Sequence, residues 1–258
     1  MAEAPGRLAA EVTDATASLP AMDFIGEPLV GKGVVERRFD LKVEDRLVPG
    51  IVWTPEAAEG TRPLVLVGHG GSLHKRTEYV LALARRLVRH HGIAAAAIDG
   101  PAHGDRPAVG PTTDIRAWWT STGTDEMVAD WSATLAAVQG LPEVGNGPLG
   151  YWGLSMGTIF GLPFVASEPR VQVAVLGLMG ITGPTADRLA ADAAKVTCPV
   201  LFLQQLEDEL IDRASVLALF DALGTKDKRL HANPGPHSAV PPEQFVVSQE
   251  FLASHLLG

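Results

Sequence analysis

Short apolar segments alternate with helix-like segments along most of this chain. The apolar segments are rich in Val, Ile and Leu, a composition typical of strands covered on both faces; they occupy residues 64–68, 93–98, 149–152, 171–177 and 200–203. Helical patterns separate them at residues 77–90, 127–138 and 214–223. Because β and α units that alternate in this way build parallel sheets with right-handed crossovers, the sequence predicts an α/β fold. We expect a mostly parallel, twisted sheet of about eight strands with helices on both faces.

The two ends of the chain complete this pattern. Strand-like segments at residues 34–40 and 47–54 are typical of an antiparallel hairpin, and a final strand near residues 228–232 precedes a closing helix. At 258 residues, the chain is long enough for one large α/β domain. We predict a single domain over residues 31–258, preceded by an extension over residues 1–30 that packs on it.

Composition and charge disfavour several classes of partner. The formal net charge is −9, which argues against binding to nucleic acid or to an anionic membrane, because both need clustered Lys and Arg. Cys198 is the single cysteine, so no intramolecular disulfide is possible. No apolar stretch approaches the ~18 residues of a membrane span, and the N-terminal residues lack the pattern of a signal peptide. A cytoplasmic protein is therefore expected; the oligomeric state stays open, a homodimer included.

One short motif, Gly-Leu-Ser-Met-Gly at residues 153–157, lies where an apolar strand meets a helix. A serine at such a sharp turn adopts strained backbone angles, and glycines two positions away on either side let the strand and the helix pass closely. This arrangement lifts the hydroxyl of Ser155 clear of the sheet and places it above the start of the helix. We interpret the motif as a nucleophile elbow, provided that a base, an acid and donors for an oxyanion accompany it in the right order.

Ser155 needs a base, because a serine hydroxyl is barely ionised at neutral pH. His237 is the candidate, since it lies late in the chain in a loop rich in Pro and Gly, directly after the last predicted strand. Asp208 is the candidate acid that orients this histidine; it lies between the serine and the histidine, after the strand at residues 200–203. Glu207 is the one serious rival to Asp208.

Backbone amides that stabilise an oxyanion are expected in two places. The amide of Met156 belongs to the elbow, directly after the serine. A glycine-rich segment follows the strand at residues 64–68; there Gly71 is the first choice as a donor, and Ser72 is the alternative. His69, in the same segment, is expected to order this loop through hydrogen bonds.

The segment between residues 99 and 127 is rich in Pro and Gly and long for a simple connection. It follows a strand whose C-terminal end faces the same crevice as the serine, so it is a candidate wall of the binding site. Trp118 and Trp119 either contact the substrate or pack this loop onto the core. Leu154 and Met179 are the other candidate pocket residues.

Asp99 and His103 begin that segment. They have no further His, Cys or carboxylate at the spacing of metal ligands. We therefore expect Asp99 to tie a tight turn and His103 to shape the loop, and we expect no metal.

These motifs together resemble the α/β-hydrolase superfamily. The resemblance covers roughly residues 30–256 in the superfamily's order of elements. It rests on the elbow at residues 153–157, the oxyanion loop at 69–71, the Asp-x-x-x-His-Gly element at 99–104, and Asp208 and His237.

Within the superfamily, the chain is similar to dienelactone-hydrolase-like proteins and small carboxylesterases. Residues 177–199 leave little room for a large cap domain. The chain departs from its relatives at Gln204 and Gln205, where they often have His-Gly. It also has a serine at position 155 where true dienelactone hydrolases have a cysteine.

The resemblance implies a serine hydrolase that cleaves a small-molecule carboxylic ester in two steps, without a cofactor or a metal. It implies that Ser155 attacks the carbonyl while His237 takes its proton, and that the amides of Gly71 and Met156 hold the oxyanion. Water activated by the same histidine then frees the acid. The same residue types also serve thioesterases, amidases and peptidases, cofactor-free haloperoxidases and C–C hydrolases. A non-catalytic ligand-binding protein on the same scaffold is a further alternative, because fold alone does not fix function.

Overall fold

Nine strands form one sheet in the part of the chain that the computed structural model describes, residues 21–57, 59–106 and 119–258. The strands are β1 (Met22–Gly31), β2 (Val34–Val43), β3 (Arg46–Pro55), β4 (Leu64–Gly68), β5 (Ala94–Ile98), β6 (Leu149–Gly153), β7 (Val171–Gly177), β8 (Val200–Gln205) and β9 (Lys228–Asn233). The helices of these residues are α1 (Glu78–His91), α2 (Ser121–Gln139), α3 (Met156–Ser167), α4 (Ala186–Ala193), α5 (Arg213–Ala222) and α6 (Pro242–Leu256).

The strands lie in the order β1-β2-β3-β5-β4-β6-β7-β8-β9. Strands β4 to β9 pair in parallel, and β1, β2 and β3 extend the sheet through antiparallel pairs that end on β5. The predicted α/β fold with a mostly parallel sheet is confirmed, and so is the predicted hairpin, now β2 and β3. The strand order reverses at β4, and sheets of this kind bind ligands at the carboxyl ends of the strands near such a reversal.

Helices cover both faces of the sheet, as predicted. All five residues of β4 are buried: Leu64 and Leu66 pack into the core under α2 to α5, while Val65 and Val67 pack into the core under α1 and α6. Alternate side chains of a strand point to opposite faces, so a strand covered on both sides is apolar throughout. This is why the central strands appear in the sequence as continuous apolar segments.

The described chain has no large cap domain. Between β7 and β8 it forms only a 3₁₀ turn (Gly183–Thr185) and the short helix α4, which agrees with the small space expected there. Within the described ranges, no helix is both long enough and apolar enough to cross a membrane.

Strand β1 was not predicted from the sequence. Almost every residue of β1 is exposed, so the strand has no alternation of buried and exposed positions to detect. Gly26, with φ 69°, lies where the register with β2 shifts, between Ile25 and Leu29. The boundary predicted at residue 30 falls inside this strand, so residues 22–30 belong to the sheet. Residues 1–20 lie outside the described part of the chain, and the extension expected there stays a prediction.

Candidate active site

Ser155 lies at a sharp turn between β6 and α3, as the sequence predicts. Its backbone angles are φ 58° and ψ −119°, a region that costs a residue with a side chain roughly 1–3 kcal/mol. The amide of Ser155 donates a hydrogen bond to the carbonyl of Gly177, at the end of β7, over 2.9 Å. This bond helps to hold the turn in its strained form.

Glycines lie on either side of the serine, where a side chain does not fit at Gly153 and would be tightly crowded at Gly157. A Cβ atom on Gly153 would lie 2.7 Å from the carbonyl oxygen of Gly157, and one on Gly157 would lie 3.1 Å from the carbonyl oxygen of Gly68. The first turn of α3 therefore passes close to the ends of β6 and β4. This close approach explains the Gly-x-Ser-x-Gly pattern in this chain.

A chain of hydrogen bonds joins Ser155, His237 and Asp208. The hydroxyl oxygen of Ser155 lies 2.9 Å from Nε2 of His237, and Nδ1 of His237 lies 2.7 Å from Oδ2 of Asp208. Asp208 follows β8 and His237 follows β9, two strands that pair in the sheet. The fold thus brings together the serine, the histidine and the carboxylate that were selected from the sequence.

The contacts of Asp208 determine which nitrogen of His237 carries the proton. Oδ1 of Asp208 accepts hydrogen bonds from the amides of Leu210 and Ile211, both over 2.9 Å. An ionised carboxylate only accepts hydrogen bonds, so Nδ1 of His237 donates to Oδ2. The other ring nitrogen, Nε2, is then the acceptor for the Ser155 hydroxyl, which is the state that a general base requires.

The glutamates beside Asp208 bind the backbone of the histidine loop. Glu207 accepts a hydrogen bond from the amide of Gly235, and Glu209 accepts one from the amide of His237 over 2.9 Å. The hydrogen bond from His237 holds the pKa of Glu209 below its ordinary value. Glu207, the rival to Asp208, therefore contacts the loop backbone, whereas Asp208 contacts the imidazole ring.

Gln205, at the end of β8, fixes the same loop. Its buried side-chain nitrogen Nε2 donates to the carbonyl of Ala239 over 2.9 Å and lies 3.2 Å from the carbonyl of Pro234. The resemblance gives this position as a departure from the family's pattern, and here the glutamine holds the loop that carries His237. A polar residue at the end of a buried strand is the only signal of this role in the sequence.

The loop after β4 presents three successive amides, and two of them are occupied. The amide of Gly70 donates to the hydroxyl of Tyr79 over 2.6 Å, and the amide of Ser72 donates to Nε2 of His103 over 3.0 Å. Among the described residues, none accepts a hydrogen bond from the Gly71 amide between them. Gly71 is therefore the better placed of the two alternatives for an oxyanion donor.

The amides of Gly71 and Met156 follow the carboxyl ends of β4 and β6, two neighbouring parallel strands in the middle of the sheet. Gly71 lines the same cavity as Ser155. Met156 begins α3, and the first amides of a helix have no acceptor within it. Their role as oxyanion donors stays a prediction.

His69 orders this loop, as expected. The amide of Gly100 donates to Nε2 over 2.9 Å, so the ring proton is on Nδ1, which donates to the carbonyl of Gly70 over 2.8 Å. Burial lowers the pKa of His69 to about 4, so the ring stays neutral well below neutral pH. With both nitrogens engaged inside the protein, His69 is a structural residue.

The buried ring of His69 predicts a loss of stability in mild acid. In the unfolded chain His69 takes up a proton near pH 6.5, whereas in the folded protein its pKa is about 4. The neutral ring therefore contributes fully to the free energy of unfolding above pH 6.5. As the pH falls from 6.5 towards 4, this contribution of about 3 kcal/mol is lost. The free energy of unfolding, measured with urea across this pH range, should fall more steeply for the wild type than for His69→Asn. The asparagine keeps a hydrogen-bond donor and an acceptor but does not titrate. Parallel curves for the two proteins would show that His69 does not carry this dependence.

Asp99 and His103 also have structural roles, as expected. Asp99 is fully buried; it accepts hydrogen bonds from the amide and the ammonium group of Lys75, over 2.8 and 2.6 Å, and from the amide of Asp105 over 2.8 Å. Nδ1 of His103 donates to the carbonyl of Pro101 over 2.7 Å. In the described ranges, no group of three or more His, Cys, Asp or Glu side chains is placed to hold a metal ion.

A cavity of about 610 Å³ opens beside Ser155 and His237. Its volume is within the range of small-molecule sites, which are concave and mostly apolar with a few polar groups. The wall is largely apolar, and its main side chains are Tyr79, Trp152, Leu154, Leu178, Val240 and Phe245. The arrangement suits a small organic molecule whose reacting carbonyl lies at the serine.

Of the three predicted pocket residues that the structure describes, Leu154 lines this cavity. Met179 and Trp119 pack with the core on the opposite face of the sheet. Leu178 takes the place expected for Met179, because successive residues at the end of β7 point to opposite sides. Of the two roles expected for Trp119, contact with the substrate or packing on the core, the structure shows packing on the core. Trp118 lies outside the described residues.

Helix α1 and the start of α6 supply much of the cavity wall, a contribution that was not predicted from the sequence. Tyr79, Ala82 and Arg86 of α1 line the cavity together with Phe245 of α6. On α1 these positions recur at spacings of three and four residues, beside the stripe that packs into the core. This second stripe could have indicated the cavity wall, but the apolar stripe that packs into the core is the more prominent pattern in the sequence.

A mostly parallel α/β sheet that carries a serine at an elbow, and a carboxylate and a histidine after its last two strands, defines an α/β hydrolase. Residues 103–235 match the dienelactone hydrolase family. A novel cold-adapted esterase from an Arctic intertidal metagenomic library, solved as a PEG-bound complex, is 44% identical over 91% of this chain and 99% of that chain, with a TM-score of 0.82. The chain belongs to the dienelactone hydrolase family, and it is an esterase-like enzyme.

More distant solved structures share the fold alone. Acetyl xylan esterase from Paenibacillus sp. R4 is 17% identical over 90% of this chain and 88% of that chain, with a TM-score of 0.73. Acetyl xylan esterase 1 from Thermoanaerobacterium sp. JW/SL YS485 is 16% identical over 91% and 88%, with a TM-score of 0.72. No curated protein matches this chain.

Proposed function

We propose that this protein is a carboxylesterase that hydrolyses a small carboxylic ester through an acyl-enzyme on Ser155. The observation that carries the proposal is the hydrogen-bonded chain from Ser155 through His237 to Asp208, beside an apolar cavity. A serine becomes nucleophilic when a base lies within hydrogen-bond reach and a third group orients that base. Both conditions hold in this arrangement.

In the first step, the Ser155 hydroxyl oxygen attacks the ester carbonyl as Nε2 of His237 takes the hydroxyl proton. The imidazolium that forms has its Nδ1–H directed at the carboxylate of Asp208, 2.7 Å away, which stabilises the positive charge. The bond from the carbonyl carbon to the alcohol oxygen then breaks. His237 returns the proton to the departing alcohol, and the acyl group stays on Ser155.

In the second step, water replaces the alcohol. Nε2 of His237 takes a proton from the water, whose oxygen attacks the acyl carbon. The bond to the Ser155 oxygen breaks, and the serine recovers its proton from His237. The acid leaves and the enzyme returns to its starting state.

The negative oxygen of each tetrahedral intermediate needs donors that are already in place. The Met156 amide at the start of α3 and the Gly71 amide of the loop after β4 are our proposed donors. The occupied amides of Gly70 and Ser72 support the assignment of Gly71, because each already has an acceptor within the protein. The positive end of the α3 dipole adds to the same stabilisation.

A comparison of three acetyl compounds tests this function. Phenyl acetate, S-phenyl thioacetate and acetanilide differ only in the atom that leaves the acyl group. We expect phenyl acetate to be hydrolysed with a kcat/KM at least about 100-fold above that of acetanilide, because resonance stabilises the amide bond. Faster cleavage of acetanilide would indicate an amidase, and cleavage of the thioester alone would indicate a thioesterase; either result would contradict the proposal.

A further inference from the structure

Tyr79 links the cavity to the loop that carries Gly71. It lies in the first turn of α1 and lines the cavity. Its hydroxyl oxygen accepts the hydrogen bond from the Gly70 amide, over 2.6 Å. The side chain therefore touches both the space for the substrate and the residue next to the proposed oxyanion donor.

The ring of Tyr79 belongs to a cluster of three aromatic rings in the cavity wall. Its centroid lies 5.6 Å from that of Trp152 and 5.9 Å from that of Phe245, and the rings of Trp152 and Phe245 are 5.9 Å apart. Aromatic pairs at such distances attract each other beyond the area they bury. The cluster places the hydroxyl of Tyr79 at a defined point beside the loop.

The hydroxyl of Tyr79 is a stable acceptor for the loop. Burial raises the pKa of Tyr79 to about 12, so the group stays protonated at neutral pH. A protonated hydroxyl accepts from an amide while keeping its own proton to donate. The Gly70 amide is thereby satisfied without a water molecule or a charge.

The loop is held on both sides of Gly71. On one side Gly70 is fixed through its amide by Tyr79 and through its carbonyl by His69. On the other side the amide of Ser72 is fixed by His103. Glycine is the most permissive residue for backbone rotation, so these contacts limit how far the Gly71 amide can turn.

We propose that Tyr79 is a positioning residue for the oxyanion donor, and that its ring makes esters with a phenyl-sized apolar group on one side the preferred substrates. This inference rests on the proposed function. An apolar group in the cavity packs on the aromatic cluster and holds the Tyr79 ring, and the hydroxyl of that ring holds the loop. Binding energy from a remote part of the substrate thus acts at the reacting carbonyl and raises kcat as well as lowering KM.

Three small esters separate the two parts of this inference. Methyl acetate has two small ends, whereas benzyl acetate and methyl phenylacetate are isomers that carry a phenyl group on the alcohol or on the acyl side. For the wild type, we expect kcat/KM of at least one isomer to exceed that of methyl acetate by about tenfold or more. Equal values for all three esters would overturn the substrate preference.

Tyr79→Phe keeps the ring and removes the hydroxyl. We expect kcat to fall by about tenfold for each ester that the wild type cleaves, with KM changed by less than about twofold, since losing an oxyanion donor outright costs more. Thr134→Val is the matched control: it removes a buried hydroxyl bonded to the carbonyl of Asp130 over 2.7 Å, in α2, and its kcat should stay within about twofold of the wild type. An unchanged kcat in Tyr79→Phe would overturn the positioning role.

Hydrogen exchange tests the same contact without turnover. In a peptide covering residues 68–73, Tyr79→Phe should exchange about one amide faster than the wild type, because the Gly70 amide loses its acceptor. Unchanged exchange would overturn the inference. An active wild type with an unaffected Tyr79→Phe contradicts the role of Tyr79 alone, whereas a wild type inactive on every ester contradicts the proposed function as well.

Discussion

Ser155→Ala should lower kcat/KM for phenyl acetate by a factor of about 10⁴ or more, because no other group replaces the attacking oxygen. The hydrogen bond to His237 is lost with it, but the fold should persist, since the backbone bond from Ser155 to Gly177 does not involve the side chain. Steady-state hydrolysis together with circular dichroism measures both effects. A folded variant with activity near that of the wild type would show that another group is the nucleophile.

Two further variants sharpen this result. Ser132→Ala changes an exposed hydroxyl that bonds its own helix, and its kcat/KM should stay within about twofold of the wild type. Ser155→Gly should be as inactive as Ser155→Ala and about 1 kcal/mol more stable than it, because glycine adopts φ 58° without strain. Two equally inactive variants would then differ in stability, as expected where the backbone of the native residue is strained.

Asp208→Asn should lower kcat by about 10⁴-fold, with a smaller change in KM. An asparagine amide that donates to Nδ1 of His237 places the ring proton on Nε2, where it blocks the acceptance of the serine proton. The substituted side chain would also keep an oxygen for the amides of Leu210 and Ile211, so the turn should hold. Steady-state kinetics of the purified variant measures the loss.

Glu207→Gln is the matched control for that substitution. It also converts a carboxylate to an amide, one residue earlier, but at a side chain that bonds the Gly235 amide. Its kcat should stay within about threefold of the wild type. If Glu207→Gln lost as much activity as Asp208→Asn, or Asp208→Asn lost little, Asp208 would not be the residue that orients the base.

The central sheet was predictable because its strands are buried on both faces. The strands at residues 64–68 and 171–177 appear in the sequence as unbroken or nearly unbroken apolar segments, and burial leaves few other residue types at such positions. Strand β1 was not predictable in this way, since its side chains are exposed and packing places no pattern on them. Helix α4 is only 8 residues long, too short for a periodic pattern to stand out.

The three residues proposed to react could be selected from the sequence, whereas the walls of the cavity could not. Ser155, Asp208 and His237 each follow a strand, and the order of strands in the chain brings them to one edge of the sheet. The cavity instead depends on which side of a helix or strand faces it, as Leu178 and Met179 illustrate. Which of two neighbouring residues faces the cavity depends on the directions of their side chains in the folded chain, and these cannot be predicted from composition.

Covalent labelling of Ser155 is the most direct test of the proposed acyl-enzyme mechanism. A fluorophosphonate reacts with a serine only when a neighbouring base activates it, so the folded enzyme should gain the mass of one phosphonyl group. Peptide mass spectrometry should place that group on the peptide that contains Ser155, with no modification of the Ser155→Ala variant under the same conditions. An active enzyme that gains no adduct, or gains it at another residue, would contradict the proposal that Ser155 carries the acyl group.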